Sequence, residues 1–334
     1  MDHKKILTRT WRLIWNSKAL WLFGFLFALA GGSGGFRGGG GSNGGGGQSQ
    51  NNGGSGGWPG TFPDFQFRPP DWNTIVLIAV IAILVVLLLT LLTLIVRYVA
   101  ETALLAGVDE IEASGEKLTV RRGFRLGWSR QALRLFLVDL AVYLPLTLGA
   151  LLLIAAAALP LLVWLTQIVP LGVIATIFSV GLEMLIILIL VVLALALSVV
   201  MPFVRRRVVL GGQGVRAAVR EGIALVRASL KDTGLMWLLL AALRILWSLV
   251  FIPIFLLLVV VSVMIGGVPA LLAYLASQSW VAAAIVGGIL FLVAIIPSTA
   301  FFEGLFETYT SAAWTLTYRE ASGRYPDLLA ARPS

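Results

Sequence analysis

Residues Ile75–Val99 read IVLIAVIAILVVLLLTLLTLIVRYV, and the first charge in that run is Arg97. A helix rising ~1.5 Å per residue needs about 20 apolar residues to cross the ~30 Å hydrocarbon core of a bilayer. The stretch supplies 22 before the arginine, so it reads as a membrane-spanning helix. Working outward, five further apolar stretches stand out: Ala19–Ala30, Leu133–Gln167, Leu171–Val204, Gly234–Ile265 and Trp280–Tyr318. The last four exceed the minimum and are expected to tilt, kink or run past the bilayer. Pro145, Pro160, Pro253 and Pro297 are the expected kink sites, because proline removes an intrahelical hydrogen bond.

Composition agrees. Hydrophobic residues make up 59% of the 334 and charged residues 12%, with a mean hydropathy of +0.95. Soluble domains carry roughly twice that share of charge, so most of this surface must face lipid. The net charge of +9 sits in short segments between the apolar runs. An anionic lipid surface accounts for such residues, and nucleic acid is not an expected partner. With no cysteine, disulfides, thiolate nucleophiles and sulfur-ligated metals are excluded.

Lysines and arginines set the orientation. Segments alternating along the chain hold 22 on one side and 2 on the other, with Arg244 left inside the fifth stretch. That asymmetry predicts an inner (plasma) membrane protein with both termini in the cytoplasm. The organisation expected is a cytoplasmic amphipathic N-terminus (1–18), a short transmembrane helix (19–30) and a Gly-rich extracytoplasmic loop (31–72). A five-helix membrane domain (73–320) follows, with cytoplasmic amphipathic segments at 100–132 and 208–232, then a cytoplasmic tail (321–334). The fold class is all-α, a polytopic bundle of six transmembrane helices with interfacial amphipathic helices.

The first stretch is short, about 18 Å as a helix. Its basic lead and the Ala28-Leu29-Ala30 ending also resemble a signal peptide. Trp11 and Trp15 instead suit an amphipathic helix from about Lys5 to Asn16 on the inner surface. Residues Gly31–Gly60 contain 17 glycines, too little apolar surface to offset ordering entropy, so a flexible loop is expected. Trp58, Phe62, Phe65 and Phe67 after it could dock on the outer surface.

Val120-Arg121-Arg122-Gly123-Phe124 recurs as Val219-Arg220-Glu221-Gly222-Ile223, 99 residues later. Around the second copy, a helix from Gly214 to Lys231 places Val215, Val219, Gly222, Ile223, Val226 and Leu230 on one face. Arg216, Arg220, Arg227 and Lys231 flank it. Such a helix lies in the headgroup region, apolar face down, its cations reaching the phosphates of anionic phospholipids. A membrane protein partner is the other occupant open to it.

The opening Trp11-Arg-Leu-Ile-Trp-Asn-Ser-Lys-Ala-Leu-Trp21, the helix Gly214-Val-Arg-Ala-Ala-Val-Arg-Glu-Gly-Ile-Ala-Leu-Val-Arg227 and the closing Ala312-Ala-Trp-Thr-Leu-Thr-Tyr-Arg319 carry a family resemblance. The chain resembles the bacterial six-span proteins related to the membrane domain that accompanies some glycerophosphodiester phosphodiesterases. The resemblance implies a fold and a location. It does not imply the phosphodiesterase activity, which resides in a separate barrel, and it supplies no catalytic residues. The long Gly-rich loop departs from that family's usual short connection.

Ionisable groups inside spans are costly, so each is a candidate site residue. Five qualify: Asp139, Glu183, Arg244, Glu303 and Glu307. Counted inward at ~1.5 Å per residue from Gly234 and from Trp314, Arg244 and Glu303 share a depth of about 15 Å. They are expected to pair, with Glu307 as second partner. Thr299, Glu303, Glu307 and Ser311 follow at four-residue spacing along one side, a polar line suited either to a cavity lining or to an ion pair that fixes packing. Asp139, nearer the interface, could reach Arg134. Glu183 has no cation at its level.

Catalytic constellations are missing. The one histidine, His3, falls in an N-terminus read as mobile, no Ser-Lys dyad stands at membrane depth, and Glu303 with Glu307 lacks the two-helix arrangement of an aspartyl protease. No enzyme activity, cofactor or metal is expected. Two readings remain: a non-catalytic scaffold or envelope-associated protein, and a transporter or lipid-handling protein using Arg244, Glu303 and Glu307.

Overall fold

The computed structural model describes residues 2–31 and 72–324. Among them the chain is helical: α1 His3–Asn16, α2 Lys18–Leu29, α3 Trp72–Ser114, α4 Val120–Gly127, α5 Arg130–Ala158, α6 Val169–Val209, α7 Val215–Ala228, α8 Leu230–Ser277 and α9 Trp280–Arg324. Five are long and apolar enough to cross a membrane: α3, α5 with its 3-10 extension Leu159–Thr166, α6, α8 and α9. The chain is a multi-pass membrane protein. The expected sixth span is not a full one among these residues, since α2 has only 12 residues. The expected Gly-rich loop, its docking aromatics and most of the tail lie outside the described residues.

Local chemistry explains the shorter elements. Asp2 caps α1 by accepting from the Lys5 N–H at 3.1 Å, satisfying one of the free donors at a helix start. Ile6, Thr10, Leu13 and Ile14 then form its buried face. His3 is tied down too, its Nε2 lying 3.0 Å from the Asp232 carbonyl. After a break at Ser17, α2 buries Leu20 and Phe23 completely. Through these side chains and Gly24, α2 packs against α9 and α3.

Two hairpins close at the far end through glutamines in the left-handed region. Gln167 (φ 58°) joins the 3-10 segment to α6, and Gln278 (φ 52°) joins α8 to α9. The Gln278 N–H donates to the Tyr274 carbonyl at 2.7 Å, which satisfies one open carbonyl of the helix end. Pro160 does not kink α5 as expected. The helix gives way to 3-10 winding at Leu159, because the proline lacks the N–H that another α-turn needs. Pro145, Pro253 and Pro297 do lie inside helices, as do Pro202 and Pro269.

Glycines decide two other boundaries. α8 runs on past Ile265 through Gly266 and Gly267 to Ser277. Gly266 is a packing notch, where an added Cβ would stand 2.5 Å from the Gly287 carbonyl oxygen of α9. Close approach at small residues is how membrane helices gain packing when lipid is as apolar as they are. α2 and α9 use the same device at Gly24 and Gly304, where a Cβ on Gly24 would meet Gly304 O at 2.4 Å.

The buried core gathers at the end carrying the basic segments, hereafter the basic end. There α3 continues unbroken to Ser114 and buries Ala100, Ala103, Leu104, Leu105 and Val108. The segment 100–132 is therefore half core helix rather than a separate interfacial one. Within 208–232, α7 buries Ala218, Glu221, Gly222, Leu225 and Val226, while Val215, Val219 and Ile223 of the expected apolar face are half-buried and Leu230 is exposed. A Cβ on Gly222 would stand 2.7 Å from Val204 of α6, so α7 rests one side against α6. Its sequence twin α4 is also a short helix with a buried glycine, Gly123, set against the Phe23 ring.

Toward the far end the helices part company. Residues 76–92 of α3 that are described are exposed on every side. The far halves of α5–α6 and of α8–α9 bury little beyond their own hairpin contacts, such as Ala157 and Ser179, or Gly266 and Gly287. The exposed residues are Leu, Ile, Val and Phe, the surface that lipid tails solvate.

Candidate functional site

The most enclosed polar groups come from three consecutive arginines at the basic end of α6. Arg205 holds Asp139 of α5 with two hydrogen bonds, Nε to Oδ1 at 3.2 Å and Nη2 to Oδ2 at 2.9 Å. Its Nη1 donates to Glu101 Oε1 of α3 at 2.7 Å. Tyr98 completes the group by donating to Asp139 Oδ2 at 3.2 Å. Arg206 meets no carboxylate; its nitrogens donate to Thr315 Oγ1 (3.1 Å) and to the carbonyls of Pro202 and Ser311 (both 2.7 Å). Arg207 donates to Glu221 of α7 at 2.5 Å. Burying charge is costly unless it is paired and hydrogen-bonded; Arg205 and Arg207 are both, whereas Arg206 is hydrogen-bonded only and Glu101 Oε2 has no hydrogen-bond partner.

Asp139 was expected to reach either Arg134 or the interface. Arg134 instead donates to the Gly212 carbonyl at 2.6 Å, and the planar fork of Arg205 takes the carboxylate. Sequence reading missed Glu101, Arg205, Arg206, Arg207 and Glu221 because basic residues where a span ends look like loop charges. One signal was available: three adjacent arginines point in three directions around a helix, so a bundle cannot leave all of them in water.

Arg244 of α8 lies 2.9 Å from Glu303 Oε2, a charge contact rather than an aligned hydrogen bond, and 3.5 Å from Glu307 Oε1. Its guanidinium also sits 4.8 Å above the Phe306 ring, on which Trp247 stacks at 5.7 Å. The rest of the polar line does not join them. Thr299 bonds back to the Ile295 and Ile296 carbonyls, and Ser311 offers its own carbonyl to Arg206. Glu101 and Arg205 are within electrostatic reach of Glu307, so α3, α5, α6, α8 and α9 all send ionisable groups to one layer.

The height of that layer follows from helix rise. From Glu307 back to Trp280 is about 40 Å along α9, and from Glu101 back to Trp72 is about 43 Å along α3. A bilayer with its headgroups is about 40–45 Å thick, so the layer sits at one headgroup region when the far ends occupy the other. Aromatic residues agree: Trp11, Trp15 and Trp128 are exposed near the layer, and Trp164 and Trp280 near the far end, as interfacial belts require. With the far ends of the helices at the opposite headgroups, Glu303, about 35 Å from Trp280 along α9, would stand near the edge of the hydrocarbon, and Arg244 beside it. The helices extend well past the residues from which depth was counted. Glu183, about 33 Å from Arg205 along α6, falls at the opposite edge. Half-buried and without a hydrogen bond or ion pair among the described residues, it needs no cation there.

Residues 7–318 match a family of unknown function, DUF7544. The chain belongs to DUF7544. No curated protein and no solved structure matches it. In this DUF7544 chain the cations expected on α7, Arg216, Arg220 and Arg227, are exposed, as is Lys231 of α8. Among the described residues no group of three or more His, Cys, Asp or Glu is placed to hold a metal ion. A cleft of about 390 Å³ opens beyond the layer, lined by Asp109, Arg207, Tyr318, Arg319 and Ser322 among others. Arg319 is engaged there by Asp109 at 2.5 Å and Arg207 by Glu221, so the charges in the cleft balance one another.

Proposed function

We propose that the chain is a non-catalytic scaffold of the plasma membrane, its basic end cytoplasmic and its α7 cations held to anionic phospholipid headgroups. The observation that carries this reading is the division of labour among charges. Buried ones neutralise each other within the bundle, while Arg216, Arg220, Arg227 and Lys231 remain exposed beside the headgroup layer. At about 1 kcal/mol per cation near an anionic surface, four form a substantial attraction. The excess of Lys and Arg on one side supports the orientation. The likeness to the membrane domain that accompanies some glycerophosphodiester phosphodiesterases fits a bacterial membrane module without a catalytic barrel, with α2 contributing to a first crossing.

The test is native mass spectrometry of the full chain in equal parts phosphatidylglycerol and phosphatidylcholine. The natural chain is expected to retain phosphatidylglycerol in excess. The variant R216Q/R220Q/R227Q/K231Q should cut that excess several-fold, and an unchanged excess sinks the lipid-contact reading. Orientation is read separately with an impermeant maleimide on intact cells. A cysteine at Ser277 should label and one at Ala228 should not; the reverse pattern overturns the cytoplasmic basic end. A second reading, lipid handling at Arg244, Glu303 and Glu307, is favoured by unsatisfied groups around that cluster.

A further inference from the structure

Trp247 Nε1 is buried with no hydrogen-bond partner, and so is Glu303 Oε2. Buried polar groups are almost always satisfied, and here a donor and an acceptor stand unsatisfied around the same Phe306 ring. The cluster of Arg244, Glu303 and Glu307 carries one positive charge against two negative ones. It is also not sealed: the side chains of Arg244 and Glu303 are 36% and 28% exposed. Their level is the edge of the hydrocarbon, where lipid headgroups lie.

One to two turns toward the far end, a groove of about 370 Å³ lies between α2, α8 and α9, lined by Phe25, Leu258, Pro297, Ser298, Phe301 and Phe302. It adjoins the cluster through Phe302, whose neighbour Phe251 stands one turn from Trp247 on α8. An apolar slot leading from a charged group at headgroup height has the shape of a lipid site, an acyl chain below and a headgroup above.

The charge selects the headgroup. A cluster one negative charge in excess favours a cation, and Glu303 Oε2, which meets Arg244 as a charge contact without an aligned hydrogen bond, can accept from a protonated amine. An indole N–H beside an arginine suits a phosphate or ester oxygen. From this geometry we infer that Arg244, Trp247 and Glu303, with the groove beside them, bind a phospholipid bearing a primary ammonium group. Glu303 takes the ammonium, Trp247 Nε1 and Arg244 take the phosphate, and one acyl chain lies against Phe25, Phe301 and Phe302. The inference rests on the lipid-handling reading of this cluster and is independent of the α7 cations. Phosphatidylcholine fits poorly, because its quaternary ammonium has no N–H to donate. Phosphatidylglycerol fits poorly because it offers Glu303 no cation.

The experiment presents the full chain, by native mass spectrometry, with equal parts phosphatidylethanolamine, phosphatidylcholine and phosphatidylglycerol of identical acyl chains. The natural chain is expected to retain at least one phosphatidylethanolamine about fivefold over phosphatidylcholine through a more demanding activation energy series. Glu303→Gln should erase that preference, and Trp247→Phe, which keeps the ring stack, should weaken retention of phosphatidylethanolamine. R216Q/R220Q/R227Q/K231Q should lower phosphatidylglycerol only. Equal retention of phosphatidylethanolamine and phosphatidylcholine by the natural chain overturns the site, as does an undiminished preference in folded Glu303→Gln. If Glu303→Gln does not fold, Trp247→Phe decides: unchanged retention overturns the proposal. A loss of the phosphatidylglycerol excess alone bears on the α7 surface and leaves the amine site standing.

Discussion

Replacing Arg205 with methionine tests whether the charges at the basic end hold the bundle together. Arg205 satisfies Asp139 and Glu101, whose side chains are only 7% and 8% exposed. Methionine fills similar volume but leaves two facing acids without a cation. Removing one member of a buried pair costs about 3–5 kcal/mol, because the partner charge stays buried and uncompensated. At about 2–4 °C per kcal/mol for a chain of this size, melting should fall by roughly 6–20 °C. The assay is intrinsic tryptophan fluorescence on heating in nanodiscs. The triple variant R205M/E101Q/D139N removes every charge at once and should recover most of the loss, since uncharged replacements of buried ion groups are often neutral. Arg244→Met gives the contrast: a pair 36% and 28% exposed should contribute no more than about 1 kcal/mol. A drop of under ~3 °C for Arg205→Met, or a triple variant as unstable as the single one, would refute the reasoning.

Three further outcomes follow from packing and backbone. Gly24→Leu places a Cβ 1.9 Å from Thr308 Oγ1 and 2.4 Å from Gly304 O, so α2 should leave its seat on α9 and trypsin should cut at Lys18 faster; unchanged cleavage speaks against that seat. Gly266→Val meets the Gly287 carbonyl at 2.5 Å, and overpacking of this kind costs about 1–3 kcal/mol, visible as a lower melting temperature that Gly267→Val, facing open space, should not share. Gln278→Gly relieves a left-handed residue that costs on the order of 1 kcal/mol and should raise melting by about 1–3 °C; a fall counts against strain at that turn.

Much of the architecture could be read before any coordinates. Apolar runs far longer than soluble cores require made α3, α5, α6, α8 and α9 visible, and helix rise alone set Arg244 level with Glu303. Other features depended on contacts between distant segments. Gly266 and Gly267 look like a helix end until Gly287 is seen pressed against Gly266. Arg205 looks like a flanking charge until α3 is found to run on beside it, bringing Glu101. The apolar face of α7 suits lipid and protein equally well, and only the structure sets Gly222 against Val204 of α6. Depth depends on the same contacts, because a helix that continues past the bilayer shifts the zero from which every height is counted.

The parting of the helices toward the far end divides the molecule's response to its surroundings. Stability resides where α1, α4, α7 and the helix ends interlock, on one side of the membrane. The opposite halves of α3, α5–α6 and α8–α9 are three struts that expose apolar surface suited to acyl chains. Such a frame accommodates thin or thick bilayers by changing strut tilt, at a cost of fractions of a kcal/mol per Å of mismatch. Bilayer thickness therefore acts on this protein as a lever applied to one leaflet, with the interlocked end as its fulcrum.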